Sequence, residues 1–336
     1  MIDLRSDTVT KPNEEMKQAM FSAKLGDDVF EEDPTVAELE NRLAKMFGMD
    51  AGLFCPSGTM TNQIALNIHL FPGDEVICSR ESHIYNYEGG GIAKNSGASV
   101  RLIEGETGLI TGQDVANNIN PDDVHYPISK LVALENTCNR GGGICYSMSE
   151  MKSIAEVCMK NNLPLHLDGA RIFNAIVKNN ENPLEYGEVF NSISICLSKG
   201  LGAPLGSVLI GDQQFIKKAR RVRKVFGGGM RQVGVVAAAG NYALENNIER
   251  LKNDHLHAKM IAQALQKCSW INSILPVETN IVVGYLNEDR DNNEFVELLA
   301  KKNIKIIPFG KGRIRMVTHL EINKQTAEKV VEELNF

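Results

Sequence analysis

The chain alternates short apolar runs with longer stretches in which apolar residues recur every three or four positions. Leu53-Phe54-Cys55, Val76-Ile77-Cys78, Val100-Arg101-Leu102-Ile103, Leu131-Val132-Ala133-Leu134, Pro164-Leu165-His166-Leu167, Ile193-Ser194-Ile195-Cys196-Leu197 and Ser207-Val208-Leu209-Ile210 have strand length and composition. Lys11-Pro12-Asn13-Glu14 opens a predicted helix whose face carries Met16, Ala19, Met20 and Ala23, with the proline in its first turn. Asp33-Pro34 starts a second helix, and Val36, Leu39, Leu43 and Phe47 form its packing stripe. Strands alternating with helices in this rhythm predict an α/β fold built on a mostly parallel, helix-covered sheet. Residues 231–265 read as helical, with Gly240 and Asn246-Asn247 as possible interruptions. They lead into a smaller α+β unit with strands at Ile281-Val282-Val283 and Ile314-Arg315-Met316-Val317 and a last helix from Gln325 to Leu334. The expected division is a large domain over 1–245 and a small one over 246–336.

Bulk properties narrow the setting. With 336 residues, 43% hydrophobic and 23% charged, the chain can bury a deep site, and its net charge of −6 argues against nucleic acid as a partner. Seven cysteines, an odd number without paired close spacing, fit reduced thiols rather than a disulfide framework or a metal site. No apolar stretch approaches the ~20 residues needed to span a bilayer. The first residues lack the pattern of a secretory signal. The expectation is a cytoplasmic protein with no membrane anchor and no metal.

In a parallel, helix-covered sheet, ligands bind beyond the carboxyl ends of the strands. Two such ends carry Asp168-Gly169-Ala170-Arg171 and Ser198-Lys199-Gly200, 31 residues apart from Asp168 to Lys199, room for one helix and one strand. A lysine can form a Schiff base with an aldehyde cofactor, and an aspartate can keep a pyridine nitrogen protonated. The pair points to pyridoxal 5'-phosphate, although either residue alone also reads as a solvated turn lysine or a helix cap. Ser57-Gly58-Thr59, between a strand and a helix, suits a phosphate cradle or an ordinary turn and cap. His83 follows another strand and either faces the cofactor ring or is a satisfied, partly buried imidazole. His125 is a weaker candidate in a polar segment. Arg171 and Arg315 have the guanidinium shape for an amino acid carboxylate, and Ser6 would add a donor if the amino terminus folds back over the site. Arg231, after a glycine run, either meets a charged group or is a surface cation.

Together these segments resemble the threonine aldolases, fold type I pyridoxal phosphate enzymes of the aspartate aminotransferase superfamily. The likeness runs through Leu4-Arg5-Ser6-Asp7-Thr8-Val9-Thr10-Lys11-Pro12, Gly26-Asp27-Asp28-Val29-Phe30, Ser57-Gly58-Thr59, Ser82-His83-Ile84, Leu134-Glu135-Asn136-Thr137, Asp168-Gly169-Ala170-Arg171, Ser198-Lys199-Gly200, Gly227-Gly228-Gly229-Met230-Arg231-Gln232 and Arg315-Met316-Val317-Thr318-His319. The resemblance implies that Lys199 carries the cofactor, Asp168 holds its ring nitrogen, His83 stacks on the ring, and Gly58 and Thr59 bind its phosphate. It implies that Ser6, Arg171 and Arg315 hold the substrate carboxylate and that His125 stands near the substrate hydroxyl. Lys224 and Arg231 match positions reaching a neighbouring subunit's cofactor, in a homotetramer with sites at dimer interfaces.

The implied reaction is retro-aldol cleavage of threonine or allo-threonine, a small β-hydroxy amino acid, to glycine and acetaldehyde. Holding the carboxylate sets the breaking Cα–Cβ bond across the ring plane, where electrons delocalise. The same electron sink serves β-elimination or racemisation, and a cofactor-binding regulatory protein without turnover is the non-enzymatic alternative. Phe30 and Cys138 depart from the tyrosine and histidine frequent in the family, which bears on side-chain recognition.

Overall fold

The computed structural model describes residues 1–335. Its central sheet has seven strands in the order Ala51–Cys55, Ser207–Gly211, Ser192–Cys196, Leu165–Gly169, Ile128–Glu135, Asp74–Ser79 and Ser99–Ile103. The strand at 207–211 runs antiparallel to both neighbours, and the remaining pairs are parallel. Every predicted run of the large domain is a strand of this sheet. Six of them are buried along most of their length, as apolar runs covered on both faces should be, while the edge strand Ser99–Ile103 is mostly part-exposed.

Helix starts follow local chemistry. Asp33 caps the helix Pro34–Met46 by accepting from the backbone of Thr35 and Val36, and Pro34 takes the first helical position. The earlier helix begins one step later than expected, at Glu14, because the Asn13 side chain accepts from Met16 N and becomes the cap, leaving Pro12 outside. Residues 231–265 divide into Gly234–Asn246 and Leu251–Leu265, with the break at Asn247. Gly240 does not interrupt the first of these helices. A Cβ there would come within 2.9 Å of Leu197 and Leu39, so the glycine allows close helix packing instead.

A second, antiparallel sheet has the order Ile307–Pro308, Arg313–Val317, Ile281–Leu286 and Ile271–Ile274. Its core includes Val282, Ile314, Met316, Phe295 and Leu299, together with Leu4 from the other end of the chain. The short strand Ile2–Asp3 pairs with Ile304–Lys305, and Val317 N donates to Leu4 O at 2.9 Å. The first residues thus pack with the carboxyl-terminal unit, since Leu4 is apolar and finds its cover there. The strand at 271–274 and the helix Asn292–Lys301, which buries Phe295 and Leu299, lie outside the elements predicted from sequence. No helix among the described residues is long and apolar enough to cross a membrane.

Candidate active site

Parallel register brings Glu135, Asp168 and Ser194 side by side at the carboxyl edge of the sheet. Above that edge lies a cavity of about 360 Å³ lined by Ser6, His83, Arg171, Lys199 and Arg315 among others. The amino terminus does fold back, and the small domain supplies Arg315 and the segment Ile307–Gly310. Five of the sequence candidates therefore share one cavity.

Lys199 follows the strand Ser192–Cys196, and its Nζ lies 3.3 Å from Cys196 Sγ. Burial opposes the ammonium, but Cys196, Asp7 and Asp168 outweigh it and hold Lys199 above the ordinary lysine range. The Cys196 thiol is correspondingly lowered, the nearby ammonium overcoming its burial. A Cβ at Gly58 would come within 4.0 Å of that sulfur, so the amino end of the helix Gly58–His69 stands directly behind the lysine. Ser57 caps this helix through Met60 N, and the first-turn amides face outward as at any helix start.

Asp168 is buried below the cavity. Its Oδ2 accepts from Asn62 Nδ2 at 2.8 Å and its Oδ1 from Ala170 N at 3.1 Å. Neighbouring Glu135 takes His83 N on one oxygen at 2.6 Å and Asn139 N on the other at 2.9 Å. Burial and the Asp168 charge push Glu135 up to about 7, against those two hydrogen bonds. His83 contacts Glu88 through Nδ1 at 3.0 Å, and its ring lies 5.6 Å from that of Tyr87.

The two arginines differ. Arg171 commits one edge to Asp7, with Nε and Nη2 each 2.7 Å from a carboxylate oxygen, and only Nη1 reaches towards Asn139, at 3.5 Å. Of the Arg171 fork only Nη1 is then left for a substrate carboxylate, because the buried aspartate requires a buried counter-charge. Burial alone would raise the Asp7 carboxyl, but Arg171 holds it far below the ordinary range. Arg315 donates to Asn139 Oδ1 at 2.9 Å and to Arg5 O at 3.1 Å, while its buried Nε has no partner. The Phe309 ring lies 4.7 Å from its guanidinium carbon. Burial and Arg171 bring Arg315 down to about 10.

Other candidates lie apart. His125 is 83% exposed and bonded to Asp123 on its own loop, away from the cavity lining. Lys224 and Arg231 are exposed and also off that lining; Arg231 pairs with Asp27 at 2.9 Å and stands over Phe30. Cys138 is buried and donates to Glu135 O, so its side chain packs beneath the cavity wall.

Sequence reasoning missed Asp7, Asn62, Glu88, Asn139 and Phe309 as parts of this site. Asp7 and Glu135 sit inside the segments that carry the family likeness, which was the one available signal. Nothing about Glu88 or Asn139 in sequence distinguishes them from surface polar residues.

The donor set fits pyridoxal phosphate. One lysine lines the cavity, a buried carboxylate lies beneath it, a helix amino terminus stands behind it, and the Arg315 guanidinium on the lining has no carboxylate partner among the described ion pairs. His83, Glu88 and Asp168 also bring ligand atoms within 4.8 Å of one another, but Asn62 Nδ2 donates to both carboxylates. That cluster is a hydrogen-bonded network as it stands.

Comparison with known proteins agrees with this assembly. An Arabidopsis thaliana protein named probable low-specificity L-threonine aldolase 2 is 41% identical over 337 residues, covering 98% of this chain and 95% of that protein. The Escherichia coli O157:H7 protein named low specificity L-threonine aldolase is 40% identical, covering 98% and 97% respectively. The solved structure of a Leishmania major threonine aldolase superposes with a TM-score of 0.84 at 22% identity, covering 99% of this chain and 98% of that one, and shows the same fold. The beta-eliminating lyase family matches residues 3–289, and the chain belongs to that family, among relatives named as low-specificity L-threonine aldolases.

Proposed function

We propose that this protein is a pyridoxal phosphate-dependent aldehyde-lyase that cleaves L-threonine or L-allo-threonine to glycine and acetaldehyde. The observation that carries the reading is the convergence of Lys199, His83 and Arg315 on one cavity with Asp168 buried below it, in a chain about 40% identical over nearly its whole length to proteins named for that activity.

Lys199 would hold the cofactor, with Asp168 at its ring nitrogen, His83 on the ring face, and Gly58 and Thr59 at its phosphate. Bound there, the cofactor supplies an aldehyde for the lysine and a protonated ring that draws electrons from the substrate α-carbon. Arg315 and Ser6 orient the substrate carboxylate, with Arg171 contributing through Nη1. His83 Nδ1 is engaged by Glu88, so Nε2 is the nitrogen left to take the β-hydroxyl proton, directly or through a water. Of the two candidate histidines, His83 lines the cavity, whereas His125 bonds to Asp123 on an exposed loop. Phe309 and Pro308 line the cavity from the small domain.

An assay with all four threonine stereoisomers tests the reading. Acetaldehyde and glycine in equal amounts from the L-isomers support it, whereas 2-oxobutanoate with ammonia indicates β-elimination, the reaction named by the family. Arg315→Ala should raise KM for threonine about 10- to 100-fold, the worth of a charged hydrogen bond, with a smaller effect on kcat. Arg315→Lys should not restore it, because lysine lacks the planar fork.

The proposal extends to a homotetramer in which Lys224 and Arg231 reach a neighbour's site, supported by their exposure and their absence from their own chain's cavity lining. A cytoplasmic location is supported by seven free, buried cysteines. Light scattering of the purified protein would test the assembly.

A further inference from the structure

We propose that Glu88 is a positioning residue for this reaction, orienting His83 through Nδ1 and joining it through the Asn62 side chain to Asp168. The inference rests on the aldolase reading only for which reaction is served; the geometry stands separately.

The Glu88 side chain is fully buried, and its one cationic partner among the described ion pairs is His83. Its Oε1 accepts from Asn62 Nδ2 at 2.9 Å and meets His83 Nδ1 at 3.0 Å, and its Oε2 accepts from Gln63 Nε2 at 2.7 Å. A carboxylate removed from water needs its oxygens satisfied and its charge balanced, and here the charge falls to the imidazole.

The Asn62 amide is oriented from behind. Burial drives His166 down to about 3, so that ring is neutral. It accepts from Ser192 Oγ on Nδ1 at 2.9 Å and donates from Nε2 to Asn62 Oδ1 at 3.2 Å. With its oxygen held there, Asn62 presents its NH₂ to Glu88 on one side and Asp168 on the other, at 2.9 and 2.8 Å. The carboxylate meant for the cofactor and the one behind the histidine are thus bridged by a single amide.

The charged groups around His83 are of both signs. Glu88, Asp168 and Glu135 face it with carboxyls, the Tyr87 ring packs beside it, and Lys199, Arg140, Arg171 and Arg315 line the same cavity. Burial opposes the imidazolium, but the Glu88 hydrogen bond and the three carboxyls outweigh it and hold His83 above the ordinary imidazole value. Nδ1 is committed to Glu88, and Nε2 remains the working nitrogen.

The test measures the titration of His83 in the full chain with pyridoxal phosphate bound, by hydrogen–deuterium exchange at the histidine C2 position read by mass spectrometry across pH. Glu88→Gln keeps the side-chain volume and removes the charge. The His83 midpoint should fall to lower pH than in the parent protein, and Glu88→Asp should return it towards the parent value. Threonine cleavage by Glu88→Gln should lose about tenfold in kcat with KM nearly unchanged, as expected for a displaced proton acceptor. An unchanged His83 midpoint in Glu88→Gln overturns the proposal. Should that variant fail to fold, the parent protein decides: a His83 midpoint at or below that of free imidazole overturns it equally. If the protein cleaves no threonine, the midpoint shift still reports on Glu88, so the two readings fail separately.

Discussion

Lys199→Ala is expected to abolish threonine cleavage, with a loss of ~10³-fold or more, and to remove the visible absorption of lysine-bound pyridoxal phosphate. No other lysine lines the cavity, and the sheet edge places this amine beside Cys196 and above Asp168. Lys199→Arg is the informative control. It keeps a cation near Cys196, Asp7 and Asp168, and so preserves the local charge balance, yet a guanidinium cannot take the lysine's covalent role. Both variants should fold with similar thermal midpoints while neither cleaves threonine. Retention of absorption and turnover in either would remove Lys199 from its assigned place.

Asp7→Ala should destabilise the protein more than any other single change at this site, by about 3–5 kcal/mol in thermal or denaturant unfolding. The reason is the charge left behind. Arg171 has a side chain only 5% exposed and loses both bidentate partners at once, while Asn280 Nδ2 loses an acceptor at 3.2 Å. Asp7 also ties three parts of the chain together: the folded-back amino terminus, the end of the central sheet through Arg171, and the small domain through Asn280. Asp7→Asn keeps the shape without the charge and should fall between the parent and Asp7→Ala.

The pH dependence of this pair follows from its direction. Because the folded carboxyl lies below its unfolded value, the stabilisation is complete above the ordinary aspartate range. It is withdrawn as the pH falls below about 4, where the unfolded chain binds the proton first. The difference in unfolding midpoint between the parent and Asp7→Asn should therefore be constant at neutral pH and narrow as the pH is taken from about 4 to 3. A constant difference across that range would argue against the pair.

The catalytic candidates were readable because cofactor chemistry leaves local marks. A lysine and an aspartate at strand ends, a small-residue turn before a helix, and guanidiniums for a carboxylate are each short motifs, and strand ends converge by topology. Arg171 shows the limit of that reasoning. Its residue type suited a substrate anion, but its bidentate edge is taken by a residue 164 positions away. His125 shows another: a histidine in a polar segment carries no signal of whether its loop turns inward.

The order of apolar and polar positions by itself determined the seven strands of the main sheet and the edge on which Asp168 and Lys199 emerge, because burial within a helix-covered sheet demands apolar runs at those places. Only the tertiary structure decided which polar groups neutralise one another. Asp7 with Arg171, Glu88 with His83, and Asn139 between two arginines are separated by anything from five to 176 positions. Their pairing is set by where desolvation leaves a charge without water, and that is a property of the packed fold rather than of any stretch of chain.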